Sequence, residues 1–207
     1  RQDAESAKGF QEQDIKEYFH FYPWGQCPEE LRDELMAYYR DAHALAATLL
    51  GWIEALSPPE VSARYSEPRS GMIENSDITL LRILHYPPVT GQENAVRAAA
   101  HGDINLLTIL PISNAPGLQV LGVDDRWLDV PCGLDYLVIN IGDMLQEASG
   151  GYFPSTVHRV VNPEQESQNV SRMSLPLFLH PRPEVVLSER HTAGSYLDER
   201  LHELGVV

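Results

Sequence analysis

Two histidines and one aspartate have the residue types and the spacing of a metal site. His101 and Asp103 flank Gly102, and in an extended segment residues i and i+2 point to the same face, so both side chains can enter one interior. His158 follows after about four further predicted strands, enough for a barrel to close and return it to the first pair. Two histidines and a carboxylate are the ligands that hold non-haem Fe(II) on one face and leave positions open for oxygen and a substrate.

Arg172 and Ser174 have the types of side chain that bind a carboxylate. They are i and i+2 on a predicted strand and share a face. A guanidinium can hold a carboxylate through two parallel hydrogen bonds, and a neighbouring hydroxyl can add a third. An arginine inside an apolar barrel is costly without an anionic partner, and the apolar run 175–179 predicts such burial. That partner is either a bound carboxylate or an internal aspartate or glutamate.

A long helix at about 28–56 is the first element that would support these residues. Pro28 and the acids Glu29 and Glu30 are typical of a helix start, and Ser57-Pro58-Pro59 ends the pattern. Between them, one apolar stripe recurs at steps of three and four residues: Leu31, Leu35, Tyr38, Ala42, Leu45, Leu49 and Ile53. We expect this helix to pack against a sheet.

After a Pro/Ser/Arg-rich connector at 57–77, the pattern is typical of β-structure. Short apolar or alternating runs are separated by Gly, Pro, Asn and Asp, and they predict strands at 78–84, 105–111, 118–123, 127–130, 136–141, 158–161 and 172–179. A C-terminal helix is predicted at 195–204, and the segment 4–21 is interpreted as a weak helix and loop. The fold class is therefore mainly β with flanking helices, a jelly-roll barrel buttressed by the long helix.

Composition narrows the classes of function. The 207 residues suit one domain, and the net charge of −15 argues against binding nucleic acid or an anionic membrane. Cys27 and Cys132 lie in no metal-binding cluster and are interpreted as buried or neutral thiols in a reducing cytoplasm. No apolar run approaches the roughly 20 residues that span a bilayer, and no signal peptide is recognisable. A small-molecule partner in the cytoplasm is expected, while the oligomeric state stays open.

Seven ordered segments carry a resemblance to a known family. They are LRILHYPP (81–88), HGDINLLT (101–108), PGLQV (116–120), WLDVP (127–131), VINIGDMLQ (138–146), STVHRV (155–160) and RMSLP (172–176). With the long helix before them and the stretch 192–204 after them, the chain resembles the Fe(II)- and 2-oxoglutarate-dependent oxygenases of the isopenicillin N synthase-like superfamily, in their bacterial form. The resemblance implies a double-stranded β-helix, with a scaffold at 1–77, the oxygenase core at 78–183 and a C-terminal helix at 184–207, in one structural domain.

The resemblance also implies the roles of the metal-binding residues and the reaction. His101, Asp103 and His158 would be the catalytic Fe(II) ligands. With O2 and 2-oxoglutarate as co-substrates, the enzyme would hydroxylate, desaturate or cyclise a small molecule and release succinate and CO2. Asn105, two residues after Asp103, is predicted to orient its carboxylate.

For the co-substrate, the resemblance implies that Arg172 and Ser174 bind the distal carboxylate of 2-oxoglutarate and that the Tyr86 hydroxyl assists. The sequence departs from the family in three places. Leu84 stands where members often have asparagine, the polar stretch 162–169 is interpreted as a hairpin extension, and we expect a longer natural chain whose N-terminal part completes the pocket wall.

Two other functions stay open at this point. One is an iron oxidase of the isopenicillin N synthase type that does not use 2-oxoglutarate, since Arg172 and Ser174 would then hold its own substrate's carboxylate. The other is a barrel that binds a small acid without turnover. The complete ligand set favours an enzyme, because a pure binding protein needs no open iron positions.

Overall fold

In a computed structural model of the chain, which describes residues 14–89, 96–133 and 136–206, two antiparallel sheets face each other and helices flank them. The strands in these residues are β1 (Glu17–Phe21), β2 (Leu80–Tyr86), β3 (Ala98–His101), β4 (Leu107–Pro111), β5 (Leu118–Leu121), β6 (Trp127–Asp129), β7 (Leu137–Ile141), β8 (His158–Val160), β9 (Arg172–Ser174) and β10 (Leu177–Leu179). The helices are α1 (Glu29–Leu56), α2 (Pro59–Ser62), α3 (Arg69–Met72), α4 (Asp143–Ala148) and α5 (Ala193–Glu203).

The larger sheet has the order β1-β2-β10-β4-β7, with β9 also paired to β2, and the smaller sheet has the order β3-β8-β5-β6. Side chains of both sheets meet between them, where Leu84 and Tyr86 of β2 pack with Ala98, Leu118 and Val160 of the smaller sheet. The predicted mainly-β jelly roll is confirmed by this arrangement.

Strands β9 and β10 lie along β2 in one continuous register. Ser174 is opposite Leu84 and Leu177 is opposite Leu81, so the break between β9 and β10 does not change the register with β2. The break falls at Pro176, which has no N–H to donate, although its carbonyl still accepts from the backbone N–H of Arg82. The single strand predicted at 172–179 is thus correct in its path and interrupted only by the proline.

Helix α1 packs on the outer face of the larger sheet, against β10 and β4. Most residues of the predicted apolar stripe pack against the core, as expected, although Leu31 is exposed. The most buried positions are Tyr39, Ala42, Ala46 and Leu50, three of which lie one residue beyond a predicted position. The Tyr38 hydroxyl also donates toward the backbone oxygens at 109 and 175, which ties the helix to the sheet. None of the helices in the described part of the chain is long and apolar enough to cross a membrane.

Two local predictions are wrong. Within the segment 4–21, residues Glu17–Phe21 form a strand paired to β2 instead of a helix or loop, because their aromatic side chains cover both faces of the sheet edge; residues before 14 lie outside the described range. The stretch 162–169 is no hairpin extension, since β8 and β9 belong to different sheets and a 3₁₀ turn at Glu166–Gln168 lies on the crossing between them.

Candidate active site

Three potential metal ligands converge where the two sheets face each other. His101 ends β3 and His158 begins β8, and the two residues are directly paired across these strands, with ring centroids 4.5 Å apart. Asp103 follows β3, and one of its carboxylate oxygens lies 3.7 Å from Nε2 of His158. One ligand atom from each residue lies within 4.8 Å of the others, which is close enough for a single ion to contact all three.

Backbone carbonyls orient both histidines. Nδ1 of His101 lies 2.7 Å from the carbonyl oxygen of Ala99, and Nδ1 of His158 lies 3.1 Å from that of Thr156. A carbonyl can only accept, so each Nδ1 carries the proton and each Nε2 keeps its lone pair. Burial, followed by the neighbouring His158, lowers the pKa of His101 to about 4. Both factors favour the neutral imidazole that a metal requires.

Asp103 is buried and is held through one of its two oxygens. Its Oδ2 accepts from the Thr108 hydroxyl at 2.6 Å and from the Asn140 amide at 2.7 Å, while Oδ1 faces His158. Burial acts to raise the pKa of Asp103, but the two histidines and these two hydrogen bonds outweigh it, and the net pKa is lowered. The carboxylate therefore stays ionised, with one oxygen left for a cation.

The prediction that Asn105 itself orients this carboxylate is wrong, because its amide bonds to other groups. Its amide donates to the Leu107 carbonyl at 2.7 Å and to the Thr108 hydroxyl at 3.1 Å, so Asn105 acts on Asp103 only through Thr108. Sequence reasoning missed Thr108 and Asn140. Each is a polar residue inside an otherwise apolar strand, which was the available signal.

Arg172 faces the same interior and has no acidic partner among the residues that the structure describes. Its side chain is 2% exposed, its Nε donates to the Ala115 carbonyl at 3.3 Å, and its buried Nη1 has no hydrogen-bond partner. Burial lowers the pKa of this guanidinium. An internal aspartate or glutamate, the alternative considered for Arg172, is thus not found in the described residues, and the orphaned donor fits a bound carboxylate.

Ser174 and Tyr86 lie on the same face of the sheet as Arg172, because Ser174 is two residues further along β9 and Tyr86 is directly opposite Arg172 on β2. Tyr86 is paired with Arg172 and Leu84 with Ser174 across β2 and β9, and both polar side chains are buried. The Arg172 guanidinium carbon lies 5.4 Å from the centroid of the Tyr86 ring. Burial raises the pKa of Tyr86 to about 12, so its hydroxyl keeps its proton and can donate.

One cavity joins the metal-binding cluster to these residues. It encloses about 720 Å³ of empty space, counted with the open solvent at its mouth. All six residues singled out from the sequence line it, namely Tyr86, His101, Asp103, His158, Arg172 and Ser174. Two basic residues that the sequence did not single out, Lys16 and Arg82, line it as well. Two imidazole nitrogens and a carboxylate oxygen suit Fe(II), and the guanidinium suits a carboxylate of a ligand that also reaches the metal.

Comparisons with known proteins agree with this site. The model of the 2OG-Fe(II) oxygenase superfamily matches residues 76–181. A crystal structure from Shewanella oneidensis, of a protein described as a candidate oxygenase, is 62% identical with a TM-score of 0.86, and the match covers 94% of this chain and 73% of that one. A Neurospora crassa protein, solved in complex with α-ketoglutarate and 5-formyluracil, is 25% identical with a TM-score of 0.71, over 91% of this chain and 69% of that one.

Among curated relatives, a feruloyl CoA ortho-hydroxylase from Ipomoea batatas is 31% identical over 162 residues. The match covers 77% of this chain and 42% of that protein, so the chain spans less than half the length of this relative.

Proposed function

The chain belongs to the 2OG-Fe(II) oxygenase superfamily, and we propose that it is an Fe(II)- and 2-oxoglutarate-dependent dioxygenase that oxidises a small molecule. The observation that carries the proposal is one cavity that contains both a His-Asp-His cluster and a buried guanidinium without an acidic partner among the described residues. When bound, the iron and the keto acid supply the activation of O2 and the oxidative decarboxylation that gives succinate and CO2.

In this proposal, Nε2 of His101, Nε2 of His158 and Oδ1 of Asp103 hold the iron. The hydrogen bonds from the two Nδ1 atoms to the carbonyls of Ala99 and Thr156 fix the rotation of both rings and direct each Nε2 toward the metal position. Thr108 and Asn140 hold the second oxygen of Asp103, which leaves the first oxygen directed at the histidines. With only three protein ligands, the iron would keep further coordination positions for groups that the protein does not supply.

Arg172 and Ser174 bind the distal carboxylate of 2-oxoglutarate, and the Tyr86 hydroxyl adds a hydrogen bond. Arg172 has little freedom to move, because its Nε donates to the Ala115 carbonyl and its side chain is buried. The carboxylate-binding site is therefore preorganised before the co-substrate binds. The aliphatic walls of the cavity, among them Leu118 and Val160, exclude water from the reacting atoms.

The experiment that tests this division of labour compares two variants. We expect His158→Ala to abolish Fe(II) binding in anaerobic equilibrium dialysis, because only two of the three protein ligands would remain. We expect Arg172→Ala to retain Fe(II) and to weaken 2-oxoglutarate, measured by calorimetry on the metal-loaded protein. His202→Ala and Arg40→Ala, at exposed positions on α5 and α1, serve as matched controls. Retention of Fe(II) by His158→Ala, or loss of Fe(II) together with 2-oxoglutarate in Arg172→Ala, would contradict the assignment.

Succinate release separates this function from the 2-oxoglutarate-independent alternative. The proposed enzyme forms succinate from 2-oxoglutarate in an Fe(II)-dependent manner. An oxidase that does not use the keto acid would consume O2 with no succinate at any 2-oxoglutarate concentration.

A further inference from the structure

Resting on the proposed function, we propose that Arg97 is a positioning residue of the co-substrate site. Its guanidinium does not contact 2-oxoglutarate. It adds a second positive charge next to Arg172 and Tyr86, and this charge favours a keto acid with a distal carboxylate over an analogue whose distal group is neutral. Arg97 stands directly before β3, and its side chain is buried, with 1% of the residue exposed.

Arg97 connects the smaller sheet to the strand that contains Arg172. Its Nη2 donates to the carbonyl of Val170 at 2.7 Å, two residues before Arg172 begins β9. Its backbone N–H donates to the side-chain oxygen of Asn162 at 3.2 Å, two residues after β8 ends. Arg97 therefore holds both ends of the segment through which the chain passes from β8 to β9, and the second of these ends leads directly into the co-substrate site.

The Arg97 guanidinium has no acidic partner in the part of the chain that the structure describes. Its Nε is buried and has no hydrogen-bond partner, as is also true of Nη1 of Arg172. A buried charge without a countercharge is costly. A neutral side chain could make the hydrogen bond to Val170 without that cost, so the presence of a charged one points to an electrostatic role.

Arg97 lies within electrostatic range of both residues that we assign to the distal carboxylate. Ala98, the next residue, packs with Tyr86 in one apolar cluster. Burial lowers the pKa of Arg172, and the positive charge of Arg97 lowers it further. Burial also lowers the pKa of Arg97, and Tyr86 acts in the opposite direction. A carboxylate bound at Arg172 would therefore be attracted by two guanidiniums, and its charge would offset the repulsion between them.

Arg97 acts from outside the cavity lining. Ala98, Tyr86 and Arg172 line the cavity, and Arg97 does not. Its effect on a bound carboxylate is therefore Coulomb attraction, which needs no direct contact and is stronger in a protein interior than in water. The hydrogen bond to Val170 fixes the position from which this charge acts.

The test compares two keto acids that differ in the charge of their distal group. One is 2-oxoglutarate, and the other is 2,5-dioxohexanoate, in which a methyl ketone of similar size replaces the distal carboxylate and keeps one acceptor oxygen. Both can chelate iron through the keto acid. Their affinities for the Fe(II)-loaded protein are measured without oxygen, by the visible absorption band of the chelate and by calorimetry.

Arg97→Gln removes the charge and keeps a hydrogen-bond donor. We expect it to weaken 2-oxoglutarate about tenfold, to change the affinity for 2,5-dioxohexanoate by less than about twofold and to leave Fe(II) binding unchanged. Arg97→Lys keeps the charge and should bind 2-oxoglutarate within about threefold of the wild-type protein. Arg97→Met removes the charge at similar volume and provides the same comparison if Arg97→Gln does not fold.

Arg159→Gln is the matched control. Arg159 is also an arginine of the smaller sheet, but it stacks on Trp127 at 4.0 Å and lies outside the cavity lining. We expect this variant to bind both keto acids as the wild-type protein does.

Three results would overturn the proposal. The first is an unchanged affinity for 2-oxoglutarate in Arg97→Gln or Arg97→Met. The second is equal weakening of both keto acids, because a residue that only holds the segment before Arg172 would misplace that guanidinium for both. The third is an affinity for 2-oxoglutarate in Arg97→Lys as low as in Arg97→Gln. Failure of the proposed function gives a different result, in which the wild-type protein forms no band with Fe(II) and 2-oxoglutarate.

Discussion

Replacing Arg172 with methionine should have opposite effects on protein stability and on co-substrate binding. The guanidinium is 2% exposed, has an unpartnered Nη1 and has no acidic partner among the described residues. A buried polar group without a partner costs about 1–3 kcal/mol, and methionine fills a similar volume without that cost. We expect the ligand-free Arg172→Met protein to be more stable by about 1–3 kcal/mol, which raises Tm by several degrees for a chain of this size.

The same change should strongly weaken the binding of 2-oxoglutarate. Loss of a bidentate, charge-assisted contact removes about 3 kcal/mol or more, which is at least about a hundredfold in Kd. Thermal unfolding of the metal-loaded protein, recorded across a range of 2-oxoglutarate concentrations, measures both effects, because a ligand that binds the folded state raises Tm as its concentration exceeds Kd. Arg40→Met on the exposed face of α1 is the control. A ligand-free Arg172→Met protein of lower stability with wild-type affinity for 2-oxoglutarate would refute the reasoning.

Three further substitutions test the orientation of Asp103, the close packing at Gly142 and the stability of α1. Thr108→Val should weaken Fe(II) binding by about 10–100-fold, because Asp103 loses one of the two hydrogen bonds that orient it. Thr108→Ser keeps the hydroxyl and should bind Fe(II) as the wild-type protein does. An unchanged Fe(II) affinity in Thr108→Val would contradict this prediction. Gly142→Ala should destabilise the protein by about 3 kcal/mol or more, since an added Cβ would lie 2.1 Å from the backbone oxygen of Asn105. Gly51→Ala, inside α1 and with open space around it, should instead stabilise by about 0.5–1 kcal/mol in chemical denaturation, and loss of stability there would contradict the helix.

The elements whose sequence pattern reflects burial were predictable. The stripe of α1 follows the helical repeat because one face of that helix packs on the sheet, and the structure places the helix at Glu29–Leu56, within one residue of the prediction. Most of the predicted strands are found with ends shifted by one or two residues. The i and i+2 spacing was sufficient to predict that Arg172 and Ser174 share a face, since alternation in a strand is strictly local.

Other features depend on contacts that no local pattern carries. The segment of β1 has aromatic residues on both faces, so it lacks the alternation of a half-buried strand, and only its pairing with β2 defines it. The stretch 162–169 has the polarity of a hairpin loop, but the chain crosses there between sheets, which is a property of the topology. Lys16 and Arg82 were not singled out for a similar reason: only the closed barrel shows that their side chains reach the cavity.

Anaerobic titration with Fe(II) and then 2-oxoglutarate tests the central claim most directly, because the visible band of an iron-chelated keto acid requires both groups in one cavity. The account predicts that the band forms in the wild-type protein, is absent in His158→Ala and needs far more 2-oxoglutarate in Arg172→Met. Iron that binds without a band, or an unchanged band in His158→Ala, would contradict it.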